Sequence, residues 1–193
     1  MKRRTAPKVK DGQVQRKNNW ARSRDDYHSL TQAEIRLDRR PPGEGFRHLV
    51  TIAQLRSMID LLPDWDEAAI GLDAVVLDEG GDAMGWHETG VIAICAWERE
   101  LWWTNTHPSF VDEHDDILRS LEVERVKLGG KLQLRWTEKQ ARAFQLLHVL
   151  PHELGHHHDR MTTRSKASAA RGEPYAEAYA NRVFAALRPA YAL

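Results

Sequence analysis

Cysteine is nearly absent: Cys95 stands alone among 193 residues. One thiol cannot close an internal disulfide, so the chain must hold together by burial, and a reducing compartment suits it. Long apolar runs are missing as well. Nothing approaches the roughly 20 apolar residues that a membrane-spanning helix needs, and no apolar stretch follows the basic start, so neither a span nor a signal peptide is expected. Net charge is also lacking. The 28 Lys and Arg balance 28 Asp and Glu, which leaves no overall field to favour nucleic acid or a membrane surface. The expectation is a cytoplasmic protein.

What is present suffices for a core: 41% of the residues are hydrophobic, seven of them tryptophan. The length suggests one domain with a tail. Charge is uneven along it. Lys2, Arg3, Arg4, Lys8, Lys10, Arg16, Lys17, Arg22 and Arg24 crowd the start. Residues 1–45 lack apolar periodicity and end in Arg39-Arg40-Pro41-Pro42-Gly43, which predicts a basic, mostly disordered arm with a short helix near Leu30 to Arg36. Without interleaved aromatics the arm reads as a solubilising tail rather than a nucleic-acid contact. Residues 46–193 then form the domain.

Within the domain the pattern alternates between elements. Thr51 caps a predicted helix from Ile52 to Leu62. Strands are expected at Ala69 to Leu77, Ala83 to Trp86, Gly90 to Trp97 and Leu101 to Thr104, with His87-Glu88-Thr89-Gly90 as a turn. Pro108 to Leu121 reads as an acidic helix. Gly129-Gly130 joins Val123 to Leu128 and Lys131 to Trp136 as a hairpin. Thr137 and Gln140 make a capping box for a long helix that Pro151 should kink, and Pro174 to about Leu187 closes the chain as a helix. The layout is α+β, with helices packed on a small, largely antiparallel sheet.

The long helix carries His152-Glu153-Leu154-Gly155-His156. Residues four apart share a helix face, so His152 and His156 can offer imidazole nitrogens to one zinc ion. Glu153, about a third of a turn round, can reach a water beside the metal without ligating it, as a general base must. A glycine at 155 implies that another backbone comes close there, since inside a helix it costs about 1 kcal/mol against alanine.

A catalytic zinc needs a third protein ligand. Glu177 is preferred, because Ala176, Ala178 and Ala180 would let its helix approach Gly155. Glu173 is the competitor; it precedes Pro174, and a helix start gives it another use, complementing the dipole. Around the motif, Asp159 reads equally as an orienting partner for a ligand histidine or as a solvated helix end. His148 reads as a core histidine bonded to backbone, His157 and His158 as surface, Tyr175 and Tyr179 as packing or, as the alternative, as donors to a developing oxyanion. Tryptophans 86, 97, 102, 103 and 136 read as core or cleft wall.

His152-Glu153-Leu154-Gly155-His156 followed by Glu177-Ala178-Tyr179-Ala180-Asn181, with Phe184-Ala185, Leu187 and Pro189 beyond, resembles the gluzincin metallopeptidases, in particular the minigluzincins and the ImmA/IrrE-like family. The likeness covers roughly residues 137–190; Pro151 and the His157-His158-Asp159 tail depart from it. It implies a zincin-like fold whose active-site helix carries the motif, zinc held by His152, His156 and Glu177, and Glu153 as the base. The expected function is zinc-dependent hydrolysis of a peptide or protein substrate. The alternative is a zinc-stabilised regulatory or binding module of the same fold without turnover. By analogy of fold, the strand from Gly90 to Trp97 would take an extended peptide at a sheet edge.

Overall fold

In the computed structural model the described residues are 34–163 and 171–189, together with the backbone of two short antiparallel strands, β1 (Val9–Lys10) and β2 (Gln13–Val14). Most of the expected arm therefore lies outside the described residues. Its end does not. Strand β3 (Arg36–Arg39) pairs in parallel with β5 (Ala74–Asp78), so the folded unit reaches back at least to residue 36, and Arg36 is extended rather than helical. Ile35 and Leu37, two apart, pack against the core. That period-two signal is short and lies among charges, which hid it.

The largest sheet has four strands in the order β3, β5, β7 (Val91–Cys95), β6 (Gly85–Glu88). Two of its pairings, β3 with β5 and β5 with β7, are parallel; only β6 with β7 is antiparallel. The expected largely antiparallel sheet is corrected on this point, and the sequence shows why. β5 and β7 are buried at every position, as parallel strands covered on both faces are. Val75, Leu77, Ile92 and Ile94 join the main core, while Ala74, Val76, Val91, Ala93 and Cys95 cluster with Trp86 on the other face. The turn sits later than predicted: Glu88 pairs with Val91, so His87 belongs to the ladder, opposite Ile92. The strand expected over Gly90 to Trp97 is thus interior, flanked by β5 and β6, and cannot receive a peptide edge-on. The edge is β6.

The small sheets are antiparallel. Phe46–Arg47 (β4) pairs with Trp97–Glu98 (β8), and Glu124–Leu128 (β10), Lys131–Arg135 (β11) and Trp102–Thr106 (β9) form a three-stranded sheet. The Gly129-Gly130 turn has φ of 54° and 79°, the left-handed backbone that a tight hairpin demands. Trp97, Trp103 and Trp136 pack ring on ring inside, as expected, whereas Trp102 is half exposed.

Helix α1 (Ile52–Ile59) has the Thr51–Gln54 capping box, and α2 (Trp65–Ala68) follows. The expected helix over 108–121 is broken at His114 into α3 (Pro108–Glu113) and α4 (Asp115–Ser120). The long helix runs in three parts: α5 (Glu138–Phe144), a π-helical turn over Gln145–Val149, and α6 (Leu150–Thr162). Pro151 explains the middle part. It lacks an N–H and its ring crowds the carbonyl one turn back, and the wide turn before it makes room without ending the helix. Helix α7 (Glu173–Leu187) then crosses α6. A Cβ on Gly155 would lie 2.9 Å from the Ala176 Cα and 3.0 Å from the Tyr179 Cβ, so the glycine does mark a close approach. The architecture is α+β. Among the described residues no helix is long and apolar enough to cross a membrane.

Candidate metal centre

Helix α6 and the π turn place His148, His152 and His156 one above another, with neighbouring ring centroids 5.9 and 4.8 Å apart. Opposite them, α7 presents Glu173 and Glu177, also one turn apart. The two rows interlock. Glu173 Oε2 lies 3.3 Å from Nε2 of His152 and 3.5 Å from Nε2 of His156. Glu177 Oε2 lies 3.3 Å from the other nitrogen of His152, Nδ1, and 3.7 Å from Nε2 of His148.

These distances differ between the two glutamates. Donors around a tetrahedral zinc with bonds of about 2.0–2.1 Å stand roughly 3.4 Å apart. Glu173 meets that spacing to both histidines of the motif. Glu177 does not reach His156 and faces His152 from behind. The structure gathers the donor atoms of His152, His156 and Glu173 within 4.8 Å of one another, and those of Glu177 with His114 and His148. Pro174 falls in the first turn of α7, where a missing N–H costs nothing, so it does not displace Glu173 from the site.

Glu177 takes the second place. Its Oε2 is near His152 Nδ1, though out of line for a hydrogen bond, since that buried nitrogen has no partner. Asn181 donates to Glu177 Oε1 at 3.4 Å, so the Glu-x-x-x-Asn spacing is a contact within the helix. Burial works against a charged His152, but Glu173 and Glu177 outweigh it and hold its pKa up at about 9 without a metal. The same contacts, first those to His152 and His156, hold the Glu173 carboxyl well below the usual carboxylate range.

Glu153 is buried at the start of α6. It presses on β6: a Cβ at Gly85 would lie 2.7 Å from its Oε1 and 2.8 Å from its Cγ. Its Oε2 is 3.4 Å from Nδ1 of His87, whose ring stacks on His156 with centroids 4.2 Å apart. Sequence reasoning missed His87 because it was assigned to the turn. The signal lay in the Thr89-Gly90 pair, which makes a two-residue turn and leaves His87 in the strand.

Asp159 is not a solvated helix end. It is 1% exposed and accepts from Arg171 Nε at 2.6 Å, Gly172 N at 2.9 Å and Thr163 Oγ1 at 3.1 Å. Burial opposes its charge, and these donors more than compensate, lowering its pKa. Asp159 thus anchors the residue before Glu173 instead of a ligand histidine. Gly172 sits at φ 72°, ψ −152°, a backbone that only glycine adopts freely. His157, expected at the surface, is fully buried, and its Nε2–H donates to the Ile70 carbonyl at 3.0 Å. His158 pairs with the Tyr175 hydroxyl at 2.7 Å. Tyr179 packs, its hydroxyl buried without a partner.

His148 is a core histidine, as expected, but its Nδ1 finds no backbone partner. Burial drives its pKa down to about 3. Beside it stands buried His114, at the break between α3 and α4, with ring centroids 4.5 Å apart. Nothing in the sequence periodicity singled out His114. Both line one small cleft of about 90 Å³ with His87, His152, Glu153, His156, Glu173 and Glu177. A larger cavity of about 300 Å³ adjoins it, sharing Asp82, Ala83 and Met84 and walled by Trp97, Trp103 and Phe110. Among the described residues the groups of histidine and glutamate that could hold a metal line the smaller cleft and not the larger one.

Compared with known proteins, the chain matches no family model, no curated protein and no solved structure. The site must be read from its own geometry. Two imidazoles and a carboxylate suit zinc better than the hard cations, and the converging donors fit its size.

Proposed function

We propose that this protein is a zinc-dependent metallopeptidase of zincin-like fold. The observation that carries the reading is the placement of one Glu173 oxygen 3.3 and 3.5 Å from two imidazole nitrogens on adjacent turns, with the Glu153 carboxylate beside them. His152, His156 and Glu173 would hold the ion, a set of two imidazoles and one carboxylate that suits zinc. Zinc at such a site acidifies water and polarises a carbonyl.

The remaining work falls to side chains of the chain itself. Glu153 accepts the proton of the attacking water and hands it to the leaving amine. His87 keeps the carboxylate turned toward the cleft through Nδ1, and its stacking on His156 steadies the ligand ring. An extended peptide lies along β6, the strand that borders the cleft and has a neighbour on one side only. The adjoining apolar cavity receives a large hydrophobic side chain of the substrate. A cytoplasmic location accords with the lone, buried Cys95.

The test is a fluorogenic peptide library with wild type and Glu153→Gln, each with and without chelator, alongside elemental analysis. The reading expects chelator-sensitive hydrolysis that Glu153→Gln abolishes while zinc content stays unchanged. Zinc retained without hydrolysis of any peptide favours the other reading, a zinc-stabilised binding module. Hydrolysis equal in the two chains sinks the role of Glu153.

A further inference from the structure

The interlocking rows of histidine and glutamate do not stop at the first trio. One turn back along α6 and one turn on along α7, His148 and Glu177 repeat the arrangement of His156 and Glu173, and His114 supplies the second imidazole from the break between α3 and α4. The donor atoms of His114, His148 and Glu177 all lie within 4.8 Å of one another. We propose that His114, His148 and Glu177 form a second site for a divalent transition-metal ion, distinct from the trio of His152, His156 and Glu173.

Three observations carry this. The first is the tautomer of His114. Its Nδ1–H donates to the Phe110 carbonyl at 2.7 Å, which leaves Nε2 as a bare acceptor. A backbone carbonyl on the far nitrogen is the usual support of a metal-bound histidine. The second is His148, only 4% exposed, whose ring meets that of His114 edge to face with centroids 4.5 Å apart. The third is the carboxylate: Glu177 Oε2 stands 3.7 Å from His148 Nε2, close to the separation of two ligands on one zinc.

Packing alone accounts for the cluster less well. Two imidazoles meeting edge to face need no carboxylate, and apolar residues would fill the space without desolvating three polar groups. The donor set, two imidazoles and one carboxylate, selects Zn²⁺, Co²⁺, Ni²⁺ or Cu²⁺ over Mg²⁺ or Ca²⁺. Both trios open on the same cleft, so an ion here stands on the opposite side of the His152 ring from the first.

The site is independent of whether the first trio is catalytic, and one variant separates the two. Glu173 is half exposed at the helix start, so Glu173→Ala removes a ligand of the first trio with little risk to folding. The full-length chain is loaded with zinc, dialysed and analysed for metal, and loaded in parallel with Co²⁺ to follow its visible absorption. Wild type should hold about two ions, Glu173→Ala about one, and Glu173→Ala with His114→Ala none. Glu173→Ala with His148→Gln gives the same answer if the His114 change disturbs α4, and circular dichroism checks each fold. A Glu173→Ala chain that binds neither zinc nor cobalt overturns the second site and leaves the peptidase reading intact. An ion in that chain that survives loss of both His114 and His148 overturns it too. Equal content in wild type and Glu173→Ala, lost with His114, upholds the second site and removes Glu173 from the first.

Discussion

Gly155→Ala tests whether the crossing of α6 and α7 sets the metal centre. The new methyl would meet the Ala176 Cα at 2.9 Å, the Tyr179 Cβ at 3.0 Å and the Ala176 carbonyl oxygen at 3.2 Å. Carbon atoms rest about 3.5–4.0 Å apart, so α7 must retreat by roughly 0.5–1 Å. Two of the three obstacles are backbone and cannot swing aside. Overpacking of this kind costs about 1–3 kcal/mol, while alanine regains about 1 kcal/mol of helix propensity. The net expectation is a loss between roughly 0 and 2 kcal/mol in the metal-free chain. The site suffers more, because ligand positions are tolerated only within about 0.2 Å. Glu173 moves with α7, away from both histidines, and zinc affinity should fall on the order of tenfold or more, about 1.4 kcal/mol per decade. Urea unfolding of the metal-free protein gives the first quantity and competition with a coloured chelator the second. Unchanged zinc affinity would refute the argument that this contact places Glu173. A chain stabilised by the full propensity gain would show that the helices part without cost.

Glu173→Ala should abolish hydrolysis, whereas Glu177→Ala should leave it measurable with a zinc requirement raised about 10–100-fold; activity against free zinc concentration distinguishes them. A chain beginning at Gly45 loses β3 from the four-stranded sheet, so it should melt well below full length; a melt within a few degrees would show that β3 adds little. The metal-free protein should be most stable in a window around pH 6.5 and lose stability on both sides, read from urea midpoints against pH. On the acid side, His148 is held neutral down to about 3 against an ordinary 6.5, so its contribution is present above 6.5 and disappears as pH falls, by at most about 1.4 kcal/mol per pH unit. On the alkaline side, His152, raised to about 9, contributes below 6.5 and loses that contribution as pH climbs through 9.

What the sequence disclosed was local. The Thr51 and Thr137 caps, the Gly129-Gly130 turn, the disturbance at Pro151 and the His152–Glu153–His156 face all follow from spacing within a single element. The close approach at Gly155 was legible because a glycine inside an apolar helix costs stability unless a neighbouring backbone needs the room. What stayed hidden depends on how elements meet. Glu173 and Glu177 lie on the same helical stripe, and only the angle and register of α7 against α6 say which faces His156. His87 depends on a hairpin register one residue tighter than the one read. His114 depends on a helix break that brings its ring under His148. The parallel pairing of β5 with β7 depends on β6 lying at the far edge, so that the hairpin returns β7 between β6 and β5.

The positions of the three functional groups share one reference, and it is α6. His152, Glu153 and His156 ride on it directly. Glu173 is set by two contacts back to the same helix: Asp159, near its end, fixes Gly172 through the backbone N–H, and Gly155, at its middle, fixes how near α7 lies. The edge strand is set by a third, since Gly85 lets the Glu153 side chain rest against β6 where any Cβ would push it away. The residues proposed as ligand and base, and the edge strand, are therefore all positioned against one helix. Its wide π turn lies just before the first ligand, where one extra residue per turn changes which way His148 faces. Removing Pro151 would let the helix return to a regular α form, and the arrangement most at risk would be that of His148 against Glu177, with His152 and His156 keeping their mutual spacing.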